Sequence, residues 1–191
     1  MKTTRRLSDG HQLPSDYRFS RDELYADRAS RWMRRDDNSS SKLVATRYLL
    51  DTNLLVSCFD EGASQKKERA LTTIERTGRA PYAALPAQVL AEFANVALHK
   101  LKPSLAPADV YEQVERLEAV FPILALTSAV ALEAVRGVRD HRFPYFDAQI
   151  WAAAKLNQIP TVLSEDFSTG ATVEGVTFLN LLADDFDLTD L

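Results

Sequence analysis

From Leu43 onward, short apolar runs alternate with longer stretches in which apolar residues recur every three or four positions. The first pattern fits buried strands and the second amphipathic helices. "ATRYLL" predicts a strand ending at Asp51; "LLVSCFD" and "SQKKERALTTIERTG" predict helices, the second closed by Gly78. "APYAAL" predicts a second strand, with Pro86 suited to the first turn of the helix "AQVLAEFANVALHKL". "ADVYEQVERLEAV" predicts a helix, "FPILALT" a strand, "SAVALEAVRGVRDH" and "FDAQIWAAAKLNQ" two further helices, and "PTVLSE" and "GVTFLN" the closing strands. Strands and helices alternating at these lengths predict an α/β chain: a central parallel sheet covered on both faces, in three α/β/α layers.

The pattern breaks before Leu43, at "RRDDNSSSKL". Residues 1–42 hold few aliphatics and predict one amphipathic helix over about 21–34: Ser20 and Glu23 have capping-box spacing, and Tyr25, Ala29, Trp32 and Met33 follow at helical offsets. The chain thus divides into an N-terminal arm (1–42) and a body (43–191). Charge sharpens the division. The arm carries ten Lys/Arg against seven Asp/Glu, or +3; the body carries thirteen against twenty, or −7. A basic arm beside an acidic body can lie on it electrostatically.

With 26% charged residues, the chain has an ordinary globular balance rather than a disordered one. The lone Cys58 excludes an internal disulfide framework, fits a reducing cytosol and suits a small buried hydrophobe. The basic start "MKTTRRLSDGHQLP" has no apolar run behind it, unlike a secretory signal. The apolar stretch between Glu118 and Glu133 is interrupted by Pro122 and too short to span a bilayer. The expectation is a cytoplasmic protein without a membrane partner.

Ligands of such sheets bind outside the carboxyl ends of the strands, where strand order reverses. Asp51 and Asp166 each follow an apolar strand, in "YLLDTN" and "TVLSEDF". Asp147 opens a helix, and Glu92 is embedded in the apolar face of "VLAEFANVA". Clustered carboxylates repel one another or stay partly protonated, and a divalent cation resolves the conflict. Mg²⁺ or Mn²⁺ suits an open site of hard oxygen ligands and can activate water for in-line attack on a phosphodiester. Attack of that kind leaves a 5′-phosphate and a 3′-hydroxyl. Against this stands a plainer reading: the body has twenty acids, and an Asp beside a helix is often only its N-cap.

"YLLDTNLLV", "QVLAEFANVA", "FPYFDAQIWAAA" and "PTVLSEDFSTGATVEGVTFLN" occur in the order and spacing of PIN-domain ribonucleases, and over residues 46–181 the chain resembles the VapC-like toxins of type II toxin–antitoxin systems. The resemblance implies that Asp51, Glu92, Asp147 and Asp166 are catalytic and line the metal site. It also implies that Asn53 orients Asp51 and that Ser164 is a supporting hydrogen-bond donor. It implies an endoribonuclease cutting structured RNA such as tRNA or rRNA, often a homodimer, held in check by a cognate antitoxin. The arm weakly resembles the toxin-binding tail of an antitoxin. Its aromatic stripe would fill an apolar groove, Arg31, Arg34 or Arg35 would approach the carboxylates, and "DDNSSSK" would serve as a tether. Arg139, His141 and Arg142 precede Asp147 and are candidates for RNA phosphates, with solvated loop residues as the alternative. Trp151 and the alanines after it suit core or dimer packing. The ending "LLADDFDLTDL" is longer and more acidic than the family's usual finish, and its role stays open.

Two other enzyme classes place Asp at strand ends. A phospho-acceptor receiver needs adjacent acids after its first strand, and a dehalogenase-type phosphatase needs D-x-D; "LLDTN" supplies neither. The remaining alternative is a catalytically degenerate RNA- or protein-binding module.

Overall fold

The computed structural model describes residues 46–60, 62–78 and 82–183. The arm, with Arg31, Arg34 and Arg35, and residues 184–191 of the acidic ending lie outside the described residues. Along the chain run β1 (Tyr48–Leu50), α1 (Thr52–Ser57), α2 (Ser64–Gly78), β2 (Ala83–Pro86), α3 (Ala87–His99), α4 (Pro107–Val120) and β3 (Ile123–Leu124). They are followed by α5 (Ser128–His141), α6 (Tyr145–Leu156), β4 (Thr161–Leu163), β5 (Thr172–Val173) and β6 (Val176–Leu179).

The strands form one sheet in the order β3-β2-β1-β4-β6-β5. Every neighbouring pair is parallel except β5–β6, an antiparallel hairpin at the edge, so the sheet is mixed and mostly parallel, with helices flanking it in three layers. The hairpin turns on two consecutive residues in the left-handed region, Glu174 (φ 47°) and Gly175 (φ 84°). Two such residues match the right-handed twist of the strands they join, and glycine adopts the conformation without strain. The two-residue β5 is too short to leave an alternating pattern in the sequence.

The central strands are buried on both faces: Leu49, Leu50, Ala83, Ala84, Leu85, Val162 and Leu163 are all within 1% of full burial. This explains their continuous apolar runs, which a half-exposed strand would interrupt. Cys58 is buried with them, and burial pushes its thiol up to about 12, so it stays an inert core group. Pro86 is not inside the helix, as its type suggested, but ends β2 and precedes α3 with an extended backbone (φ −63°, ψ 143°). Among the described residues, no helix is long and apolar enough to cross a membrane.

From β1 the chain builds outward to β2 and β3 on one side, then returns to add β4 and β6 on the other. The reversal lies between β1 and β4, which pair Leu50 with Leu163. A crevice for a ligand is expected beyond their carboxyl ends.

Candidate active site

Asp51 leaves β1 at that reversal and caps α1: its Oδ1 accepts the Thr52 amide at 2.5 Å. Its Oδ2 accepts the Ser164 hydroxyl, just past β4, also at 2.5 Å. Asp51 as a whole is 4% exposed. Burial raises its pKa to about 6 although both hydrogen bonds pull the other way, and the charges of Asp147 and Asp166 raise it further. Asp51 is therefore an N-cap and more than an N-cap, since a surface cap would not sit among other acids.

Ser164 also accepts the Asp166 amide at 3.2 Å, so one hydroxyl spans the ends of β1 and β4. Asp166 is exposed, and its Oδ2 accepts Asn53 Nδ2 at 2.7 Å. Asn53, expected to orient Asp51, reaches Asp166 instead. As the second residue of α1, it projects past the cap towards the loop after β4.

Glu92 stands half-buried in the second turn of α3, where two uncharged donors hold its oxygens. Thr52 Oγ1 donates to Oε2 at 2.8 Å, and Gln88 Nε2 to Oε1 at 2.9 Å. Asp147 lies in the first turn of α6, where helix amides favour an anion. Its pKa is nonetheless raised, first by burial and then by Asp166 and Glu92. The four acids thus form one electrostatic group: Asp51 feels Asp147 and Asp166, and Asp147 feels Asp166 and Glu92. Among the described residues, no three acidic, histidine or cysteine side chains stand close enough to form a ready-made metal cage. Thr52 and Gln88 escaped the sequence reading. Gln88 lies one helical turn before Glu92, the spacing that could have revealed it; Thr52 gave no pattern beyond its place in "LLDTN".

The PIN domain profile matches residues 48–168, a span that takes in all four acids and Ser164. This chain belongs to the PIN domain family. No curated protein matches it. Among solved structures the PIN fold is similar to VapC20 of Mycobacterium tuberculosis, described as a sarcin–ricin loop cleaving toxin (TM-score 0.53, 19% identity, 66% of this chain and 97% of that one). It is similar to the DNA-bound VapBC of Salmonella typhimurium (TM-score 0.52, 18% identity, 71% and 98%) and to FitAcB of Neisseria gonorrhoeae (TM-score 0.51, 21% identity, 70% and 97%). At these identities the likeness is one of fold.

The cations that precede Asp147 in the chain divide. Arg139 Nε donates to Asp140 at 2.6 Å. His141 Nε2 meets Glu174 Oε1 at 2.7 Å, and its ring stands edge-on to Trp151 with centroids 5.3 Å apart. Arg142 closes α5 in the left-handed conformation (φ 61°), is exposed, and makes no ion pair among the described residues. Glu174, at the tip of the β5–β6 hairpin, also accepts from Arg136 and Lys155, which share Glu133. The Arg136 hydrogen bond, with help from Lys155, holds Glu133 down at about 2. This hub fastens the hairpin to α5 and α6. Trp151 is fully buried, with its indole N–H on the Val173 carbonyl at 3.2 Å.

Proposed function

We propose that this PIN domain is a divalent-metal-dependent endoribonuclease, the toxin half of a toxin–antitoxin pair, acting in the cytoplasm on structured RNA such as tRNA or rRNA. One observation carries the reading: four carboxylates from four separate segments gather near the sheet's reversal point, close enough that the charges of Asp147 and Asp166 act on Asp51 and those of Asp166 and Glu92 act on Asp147. A fold gains nothing structural from such repulsion, and an oxygen-only donor set fits Mg²⁺ or Mn²⁺.

Asp51, Glu92, Asp147 and Asp166 would hold the ion. When bound, it supplies Lewis acidity and lowers the pKa of a water that attacks the phosphodiester. The chain's own contribution is positioning. Ser164 and the Thr52 amide fix Asp51, the Thr52 hydroxyl and Gln88 fix Glu92, and Asn53 fixes Asp166. Each donor is neutral, so the site orients its carboxylates without cancelling the charge that attracts a cation. Homodimerisation belongs to the same proposal, as does restraint by an antitoxin or by the chain's own arm. Toxin–antitoxin complexes among the similar structures support the antitoxin reading.

The test is cleavage of a transcribed tRNA or rRNA fragment. Asp147→Asn keeps the side chain's size and removes its charge; activity should fall by at least about a hundredfold, as for loss of a group that stabilises the transition state, and EDTA should abolish it. Folding, read by circular dichroism, should be retained. Full activity in the variant or in EDTA would overturn the metal-dependent reading, whereas no cleavage by the parent chain at saturating Mg²⁺ and Mn²⁺ would leave a catalytically inert binding module as the better description.

A further inference from the structure

Asp147 is preceded in the first turn of α6 by two large aromatics the core does not use. Phe146 is 60% and Tyr145 42% exposed, with ring centroids 5.7 Å apart and edge to face. Neither joins the buried cluster nor packs against its margin, whereas Phe143, two residues earlier than Tyr145, does. Phe143 stands edge-on to Trp151, Phe167 and Phe178, anchoring the segment from below. Pro144 fixes the backbone at the start of the helix (φ −54°). Gln88 Nε2, which holds Glu92, also reaches the Phe146 carbonyl at 3.3 Å, so one amide ties the aromatic turn to the acid cluster. The turn that carries the exposed rings is thus tied through Gln88 to the acid cluster, one residue from Asp147.

We infer that Tyr145 and Phe146 form a stacking shelf for unpaired bases next to the scissile phosphodiester, with Arg142 contacting a neighbouring phosphate, and that this strip sets which nucleotides are cut. The inference rests on the nuclease reading above. Beside an acidic cluster, phosphates are repelled wherever no cation intervenes, and the part of a nucleotide that can lie there is the uncharged face of its base. An aromatic ring accepts any base face, so stacking selects for an unstacked, unpaired base before it selects for sequence. Arg142, exposed and without an ion pair among the described residues, closes α5 three residues before Tyr145, within the segment that leads into the aromatic turn. Arg139 and His141 are already committed to Asp140 and Glu174 and are left out of the strip.

The experiment is equilibrium binding of a short, unstructured, fluorescently labelled RNA to the full chain in EDTA, which prevents cleavage, with an abasic RNA of the same backbone alongside. Tyr145→Ala/Phe146→Ala should weaken binding of the base-bearing RNA about tenfold or more and leave binding of the abasic RNA unchanged. Phe146→Trp in an otherwise intact chain should retain affinity. Arg142→Ala should weaken both RNAs and lower the salt slope by about one, whereas the aromatic variants should leave that slope alone. Because the side chains are exposed, thermal melting should match the parent chain. Equal affinity of the double variant for base-bearing RNA, or an equal loss on both RNAs, overturns the shelf. Unchanged RNA affinity with an altered elution volume on gel filtration assigns the rings to a protein interface and overturns it equally. If the parent chain neither binds RNA in EDTA nor cuts it in Mg²⁺, the nuclease reading falls with the shelf; if it cuts in Mg²⁺ but does not bind in EDTA, or binds no better than the double variant, only the shelf falls.

Discussion

A carboxylate that ends a central strand with 4% of its surface exposed can be tolerated by taking up a proton or by facing a cation. Asp51 is poised between the two, with a pKa near 6 instead of 3.8. Because the folded value lies above the unfolded one, the group favours the metal-free fold fully below about pH 4, and that contribution is lost as pH rises through 6. The shift corresponds to a penalty on the order of 2–3 kcal/mol at neutral pH. Asp51→Asn keeps an acceptor for the Thr52 amide, presents an NH₂ that the Ser164 hydroxyl can accept, and removes the charge. In EDTA its melting temperature should match the parent's near pH 4 and exceed it by several degrees at pH 7; parallel melting curves across that range would show that Asp51 is not dehydrated as described. Added Mg²⁺ should narrow the gap at pH 7, since it binds only the folded parent. At this scale the sequence disclosed residue types better than partners. Asp51 and Asp166 stand out because each ends an apolar run. Which neighbour Asn53 touches depends on how α1 is rotated against the loop after β4, and spacing along the chain carries no record of that.

The same boundary separates what patterning reveals about elements from what it conceals. Helix α5 occupies the 128–141 span its periodicity predicts, capped by the Thr127 hydroxyl on the Val130 amide at 3.3 Å. Strand "FPILALT" shrinks to Ile123–Leu124, because apolar runs mark burial and only pairing marks a strand. The edge strand β5 and the Glu174 hub left no pattern: its partners lie 19, 33 and 38 residues from it, and only the packed hairpin brings them together. Gly137 shows the cost of reading a helix alone. In isolation, alanine there would gain about 1 kcal/mol of helix propensity. In the fold, a Cβ would stand 2.9 and 3.0 Å from Cζ3 and Cε3 of Trp151. That indole is fully buried, tied to Val173, and flanked by the Arg136 and Lys155 charges at 5.2 and 5.1 Å, so it has little room to yield. Overpacking of about 1–3 kcal/mol outweighs the propensity gain. Gly137→Ala should lower the melting temperature by a few degrees; a rise would mean that α5 and α6 slide apart more easily than their packing suggests.

Across the whole molecule, charge is segregated: the body holds −7, part of it concentrated at one edge of the sheet, and the arm holds +3 on the same chain. An acid cluster that can accept a metal can also accept a guanidinium, which pairs with a carboxylate through two parallel hydrogen bonds. If residues 36–42, "DDNSSSK", serve as the tether their composition suggests, Arg31, Arg34 and Arg35 would be held at high effective concentration near the body, and even a weak contact would be well occupied. We therefore propose that the arm restrains the nuclease by competing with metal, and the proposal separates cleanly from the existence of the activity. Residues 43–191 should cut RNA faster than residues 1–191, and a peptide of residues 1–42 added in trans should reverse the gain. Arg34→Ala/Arg35→Ala in the full chain should reproduce much of the effect of truncation. Because the contact is ionic, raising salt from low to physiological strength should relieve inhibition of the full chain more than it changes the truncated one. Raising Mg²⁺ at constant ionic strength should do the same if arginine and metal compete for the same oxygens. Equal cleavage rates for the two folded chains dismiss the inhibitory arm and leave the nuclease intact, while two inert chains at saturating Mg²⁺ and Mn²⁺ count against the nuclease itself.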